Sequence, residues 1–208
     1  MIASTLNKPQ AVQIVQTLLQ HGANPRLKNK DGWTAMHLAC KAGNMDLVSQ
    51  LALAEPKLIM YPSRNGRIPL HIAALNRHSE LASHLIGLGG PEMCNTRDAC
   101  GSTPAMDAVS SGSLQTLEAI CCHVDLSSQV DKWGLTCLHK AAQLGHTQLV
   151  QYLVQAGLQV NAQTPSEGYT ALHYAVAEKQ SDTVLKLLQL GADLILCNKY
   201  NQTGTLTS

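Results

Sequence analysis

Four histidines, His37, His71, His139 and His173, stand 34, 68 and 34 residues apart. Such spacing invites a reading as metal ligands. Near them in chemical interest are the run Cys121, Cys122 and His123, the densest group of soft ligands, and Asp107 in PAMDA. A third group, Arg26, Lys28 and Lys30, joins a permanent cation to lysine amines that become nucleophiles once deprotonated.

The elements that must carry these residues decide between the readings. Gly32, Gly66, Gly101, Gly134 and Gly168 are separated by 34, 35, 33 and 34 residues, so one template runs through the chain. In each unit a Thr or Ile two positions after the glycine (Thr34, Ile68, Thr103, Thr136, Thr170) precedes an apolar segment of helical spacing. Small inward positions such as Ala141, Ala142 and Ala175 allow helices to approach closely. A second helix follows, with apolar pairs one turn apart, as in Leu149/Val150 and Leu153/Val154. Gly22, Gly89, Gly157 and Gly191 are then placed to end it in a positive-φ conformation. The segments LALAEPKLIM and AICCHVDLSS lack that glycine, which predicts irregular helix ends there.

Turn, helix, turn, helix, glycine and extended finger at about 33 residues is the pattern of the ankyrin repeat. Segments such as GLTCLHKAAQLGHTQLVQYLVQAG and GYTALHYAVAEKQSDTVLKLLQLGAD resemble that family over a full unit. The resemblance implies an all-α solenoid of helix-turn-helix pairs with β-hairpin or finger loops. It divides the single domain 1–208 into a partial repeat 1–28, repeats at about 29–62, 63–97, 98–130, 131–164 and 165–197, and a partial repeat 198–208. Neither end reads as the polar cap that a solenoid normally carries, so a fragment or short product of a longer array is expected.

Within this frame the histidines fall about one helix-packing distance, roughly 10 Å, from one another. Bonds of about 2 Å to a shared zinc are then out of reach. The resemblance assigns them a structural task, tying the first helix of each unit to neighbouring finger backbone. The third unit carries Met106 at that place, so one tie is absent, and Asp107 is expected to cap or orient the unit. Cys121 and Cys122 read as core sulfurs and His123 as a surface residue, because a helix sends adjacent side chains in divergent directions. No catalytic set, metal site or cofactor-binding glycine loop emerges from the spacing, and the chain reads as no enzyme.

Composition narrows the partners. Fifteen Lys+Arg balance fourteen Asp+Glu, and no basic run supplies the footprint of a nucleic-acid or membrane-surface binder. Seven scattered cysteines without C-x-x-C spacing argue for a reducing compartment, hence the cytoplasm or nucleus. A protein partner remains, with this chain expected as a monomer. Finger tips are free of packing duty, and the positions flanking the turn glycine include Trp33, Arg67, Trp133 and Tyr169. Trp, Tyr and Arg are residue types enriched as interface anchors. With Lys28 and Lys30 they form the expected partner-binding set, the indoles being taken as little buried.

A narrower resemblance is carried by HGANP, LKNKDGW, GSTPAMDA and ALHYA in register. These look like a branch of the ankyrin family that partners alanyl-tRNA synthetase and accepts on lysine side chains the serine misactivated by that enzyme. The resemblance places Lys30 on one acceptor position and Met60 on another, while a third falls before Met1. An amine attacks only when deprotonated, and an ordinary lysine near 10.4 leaves fewer than about one amine in a thousand in that form at pH 7. Positive charge from Arg26 and Lys28, and burial against a partner, would favour the free amine. The other reading is a non-catalytic scaffold or adaptor with an unrelated partner.

Overall fold

A computed structural model describes residues 9–204; the expectations for residues 1–8 and 205–208 lie outside the described residues. A first helix, α1 (Pro9–Gln20), precedes five helix pairs: α2 (Ala35–Ala42) with α3 (Met45–Ala54), α4 (Pro69–Leu75) with α5 (Ser79–Gly89), and α6 (Pro104–Ser111) with α7 (Leu114–Cys121). Two more follow, α8 (Cys137–Gln143) with α9 (Thr147–Gln155) and α10 (Ala171–Ala177) with α11 (Ser181–Gln189). The fold is all-helical. Among the described residues the expected hairpins reduce to two isolated antiparallel bridges, Val130 with Thr136 and Cys197 with Thr203.

Helices α2, α4, α6, α8 and α10 pack in succession as one layer. Ala39, Ala73, Ala105, Ala108, Ala141 and Ala175 are fully buried in it, and their lack of bulk is what lets backbones come close. The second layer brings α1 onto α3, α5 onto α7 and α9 onto α11. Its core stripe is aliphatic, with Leu47, Leu51, Leu85, Leu117, Leu153 and Leu187 at 0–1% exposure, as a chain without Phe requires.

The two units without a terminating glycine end their second helices at Glu55 and Cys122, neither at positive φ, while a 3₁₀ helix, Pro91–Asn95, follows the glycine-ended second unit as well. After α3 the chain turns extended at Glu55 and enters a 3₁₀ helix, Pro56–Met60, that buries Leu58 and Ile59 and packs against both α3 and α5. After α7 a 3₁₀ turn at Leu126–Ser128 buries Leu126. One terminator lies a residue away from its expected place: Gly89 is still helical, and Gly90 takes φ 90. The tandem glycines leave the choice to packing, and a side chain at Gly89 would meet Ile59 at 2.8 Å.

Candidate functional site

The four histidines form one repeated bond pattern. Nδ1 accepts the backbone N–H three residues earlier, from Thr34, Ile68, Thr136 and Thr170, at 3.1–3.3 Å. Nε2 then donates to carbonyls of the next finger: Arg67, Ser102, Ala162 and Gln202, at 2.9–3.1 Å. An imidazole accepting at one nitrogen and donating at the other is neutral. Burial pushes His37 and His71 down to about 4, against the opposing hydrogen bonds to Arg67 and Ser102. These rings are used up in construction. Among the described residues no three His, Cys, Asp or Glu side chains stand close enough to hold a metal ion.

In the third unit Met106 is buried where the others have histidine, so the tie to the next finger is missing, while charge is added to the His71 tie that joins this unit to the one before. Arg67 Nε donates to Asp98 Oδ2 at 3.1 Å and Nη2 to Asp107 Oδ1 at 3.2 Å. Burial opposes the charge on both acids with opposite outcomes. Backbone N–H bonds from Ser102 and Cys100, together with Arg67, hold Asp98 below the usual carboxylate range. Asp107 has no backbone donors; burial outweighs Arg67 and pushes it up to about 6. Its Oδ2 is buried without a partner, as is Thr103 Oγ1 nearby in sequence.

The finger tips are organised by a device that sequence reasoning missed. Three residues before the turn glycine, Asn29, Asp98 and Asp131 each turn Oδ1 back to accept two backbone N–H groups of their own finger at 2.8–3.0 Å. Ser63 does the same for one N–H. Asn, Asp and Ser at a fixed offset from a glycine are the legible signal. Successive tips are also joined by backbone bonds: Arg64 N to Asp31 O, Ala99 N to Asn65 O, Lys132 N to Cys100 O and Lys199 N to Glu167 O, at 2.8–3.1 Å. The ladder is interrupted where Pro165, lacking an N–H, faces Gly134.

This frame presents the expected binding residues unequally. Trp133, at the interruption, is 54% exposed, with Lys132 Nζ 4.5 Å from its ring centroid. Trp33 is half-buried against the core and stacks on His37 at 6.0 Å, contrary to the expectation that both indoles bury little. The reason is local: the small turn at Gly32 folds the indole back over its own helix, where an imidazole face and Lys41 receive it. Tyr169 is half-buried, edge-on to His173 at 5.6 Å. Arg67 is engaged by its two acids.

Among the basic residues, Lys28 donates to Pro62 O at 2.8 Å and lies over the Tyr61 ring at 4.7 Å. Arg26 is ion-paired with Glu55. The two cations expected to crowd Lys30 are thus each taken up elsewhere. Lys30 is exposed and its ammonium makes no bond among the described residues, and Met60 is exposed at the end of its 3₁₀ helix. In the cysteine group, Cys121 is half-buried with Sγ 2.9 Å from Tyr152 Oη. Cys122 faces solvent with His123, so only one of the two expected core sulfurs lies inward.

Comparison with known proteins places this geometry in context. The model of ankyrin repeats in three copies matches residues 1–97, 54–129 and 105–196. A transient receptor potential cation channel subfamily A member 1 homolog of Caenorhabditis elegans is 28% identical over 180 residues, covering 86% of this chain and 14% of that protein. NF-kappa-B inhibitor alpha of Gallus gallus is 33% identical over 185 residues, covering 84% of this chain and 56% of the other. The chain thus spans between about a seventh and somewhat over half of these relatives. Among solved structures, the ankyrin repeat domain of Bcl-3, described as a unique member of the IkappaB protein family, superposes with a TM-score of 0.78 at 29% identity. That match covers 98% of this chain and 90% of that one.

Proposed function

The chain belongs to the ankyrin repeat family, and we propose that it binds another protein through its finger tips and the layer formed by α2, α4, α6, α8 and α10. Stacked units of this kind create extended concave surfaces. The observation that carries this reading is the division of labour among side chains. The repeated histidines are consumed by inter-unit bonds, while Trp133 is exposed at a tip and Lys30 and Arg64 are exposed without an ion pair among the described residues. The solenoid acts as a non-catalytic module, with 1–208 as one domain in the same repeat divisions, a monomer of the cytoplasm or nucleus. No helix among the described residues is long and apolar enough to cross a membrane.

The sharper form of the proposal rests on the resemblance of LKNKDGW and GSTPAMDA to ankyrin repeat domain-containing protein 16. The partner is then alanyl-tRNA synthetase, and the task is quality control of aminoacylation. Lys30 would attack the carbonyl carbon of activated serine; an amide bond forms, the activating group leaves, and the ammonium proton passes to solvent. Its exposure supports access to such a group, whereas the engagement of Arg26 and Lys28 leaves deprotonation to the bound partner. The alternative, a scaffold or adaptor without covalent chemistry, is favoured by the chain-length likeness to the Bcl-3 domain.

Direct binding of the chain to purified alanyl-tRNA synthetase, with Lys30→Ala and Trp33→Ala alongside, tests the sharper form. Saturable binding and a serine adduct on Lys30 after incubation with ATP and serine are the expected result. Absence of binding by folded chain removes the synthetase and leaves the adaptor reading; binding without adduct removes Lys30 as acceptor.

A further inference from the structure

Resting on the protein-binding reading, we propose that the cleft between the first two finger tips is the seat of an acidic peptide segment carrying an apolar residue among its carboxylates. The cleft holds about 480 Å³. Its floor is rigid, because the two fingers touch through backbone there. Arg64 N donates to Asp31 O at 3.0 Å, and a Cβ on Gly32 would lie only 2.4 Å from Arg64 N.

Its walls divide by chemistry. Trp33 and Leu38 supply an apolar side, with the half-buried indole stacked on His37 at 6.0 Å. Lys41 and Arg64 supply the polar side. Both are exposed, and among the described residues neither has a carboxylate partner: Lys41 Nζ rests 5.7 Å over the Trp33 ring, and Arg64 makes no side-chain bond. Asp31 stands at the rim, exposed and without an ion pair among the described residues, so the three side chains sum to one positive charge. The amide oxygen of Asn29 is spent on its own turn, whereas the amide of Asn65 makes no bond among the described residues.

The surrounding charge points the same way. Residues 26–66 hold six Lys and Arg against three Asp and Glu, a net of +3, and the next cation, Arg67, is spent on Asp98 and Asp107. The near-neutral total therefore conceals a basic first third that steers an acidic ligand to this end of the solenoid. A carboxylate bridging Lys41 and Arg64 gains charge-assisted bonds that neither cation has within the chain, while an aliphatic side chain beside it covers indole surface. Asp31 is left to accept a backbone N–H of the extended segment.

The test uses the full chain labelled with ¹⁵N and three acetylated, amidated pentapeptides: Glu-Glu-Leu-Glu-Glu, Gln-Gln-Leu-Gln-Gln and Lys-Lys-Leu-Lys-Lys. The chain has two tryptophans, so two indole N–H signals report separately on the first and fourth fingers. The acidic peptide is expected to move the Trp33 signal and leave Trp133 in place, with affinity on the order of tenfold above that of the neutral peptide. That advantage should vanish in 1 M salt, where the screening length falls to about 3 Å. The double variant Lys41→Glu/Arg64→Glu, with fold checked by circular dichroism, should lose it too. The same reversal at Lys57, which does not line the cleft, should leave most of it. Equal shifts from all three peptides, or an acidic-peptide shift confined to Trp133, overturn the assignment while leaving protein binding intact. No acidic-peptide shift, in a chain that still binds the synthetase through its other fingers, overturns this proposal alone.

Discussion

Arg67 and Asp107, 40 positions apart, meet at 3.2 Å and join the second finger to the inner helix of the third unit. The pair is costly. Burial, only partly offset by Arg67, moves the Asp107 carboxyl from 3.8 up to about 6. A raised native value means that the stability contribution of the neutral form is complete below pH 3.8 and is lost as pH rises through 6.

Asp107→Asn removes that loss while keeping an oxygen toward Arg67. The variant should match the parent at pH 4 and exceed it at pH 7.5 by roughly 1–3 kcal/mol, since each tenfold change in proton affinity is worth about 1.4 kcal/mol. Urea denaturation at the two pH values reads the difference. A variant weaker than the parent at pH 7.5 would show that the ion pair outweighs desolvation.

The histidine ties carry the opposite sign. His37 and His71 are lowered from 6.5 to about 4, so they stabilise fully above 6.5 and the contribution is lost as pH falls through 4. His71→Met copies the residue present at Met106 and leaves Ile68 N and Ser102 O without a side-chain partner. At pH 7.5 it should cost about 1–3 kcal/mol. Between pH 6.5 and 4 it should lose less than the parent does, so that the two stability curves converge in acid.

Gly32 is the point where the first two fingers touch. Its φ is +76, and an added Cβ would meet Arg64 N at 2.4 Å. Gly32→Ala should cost about 2 kcal/mol or more, combining left-handed strain with displacement of the Asp31 O to Arg64 N bond. Amide hydrogen exchange at Arg64 should quicken with it; unchanged exchange would mean that the fingers part without consequence.

The cysteines should separate cleanly by reactivity. Burial pushes Cys137 up to about 12 and raises Cys40 further, whereas Cys100, Cys122 and Cys197 are exposed. Iodoacetamide on the native chain should label those three within minutes and spare Cys40 and Cys137 until denaturant is added. Mass spectrometry of labelled peptides decides it, and rapid native labelling of Cys40 would contradict its burial.

Trp133 is a tip side chain left open, beside the interrupted ladder. If it anchors the partner, Trp133→Ala weakens binding by more than about 1 kcal/mol with no loss of chain stability. Calorimetry against the bound partner, paired with denaturation of the variant, measures both. Unchanged affinity takes Trp133 out of the interface.

The sequence by itself determined what a unit does with its own residues. Glycine spacing, apolar pairs and the Thr-x-x-His segments are local patterns, and helices, turns and the histidine bonds to backbone follow from them because each repeat meets a copy of itself. The irregular helix ends after Ala54 and Cys121 were legible for the same reason, as departures from a template. Tertiary structure alone decided how singular side chains are spent. Arg67 reads as a free tip cation until stacking brings Asp98 and Asp107 within reach. Lys28 and Arg26 read as a basic cluster until Pro62 and Glu55 claim them. The two tryptophans differ by register instead: Trp33 follows its turn glycine and folds onto an imidazole, whereas Trp133 precedes its own and stands open beside a proline. Partners some 30 to 40 residues away are set by the stacking of units, and a repeat pattern averages out the exceptional side chains that make such contacts.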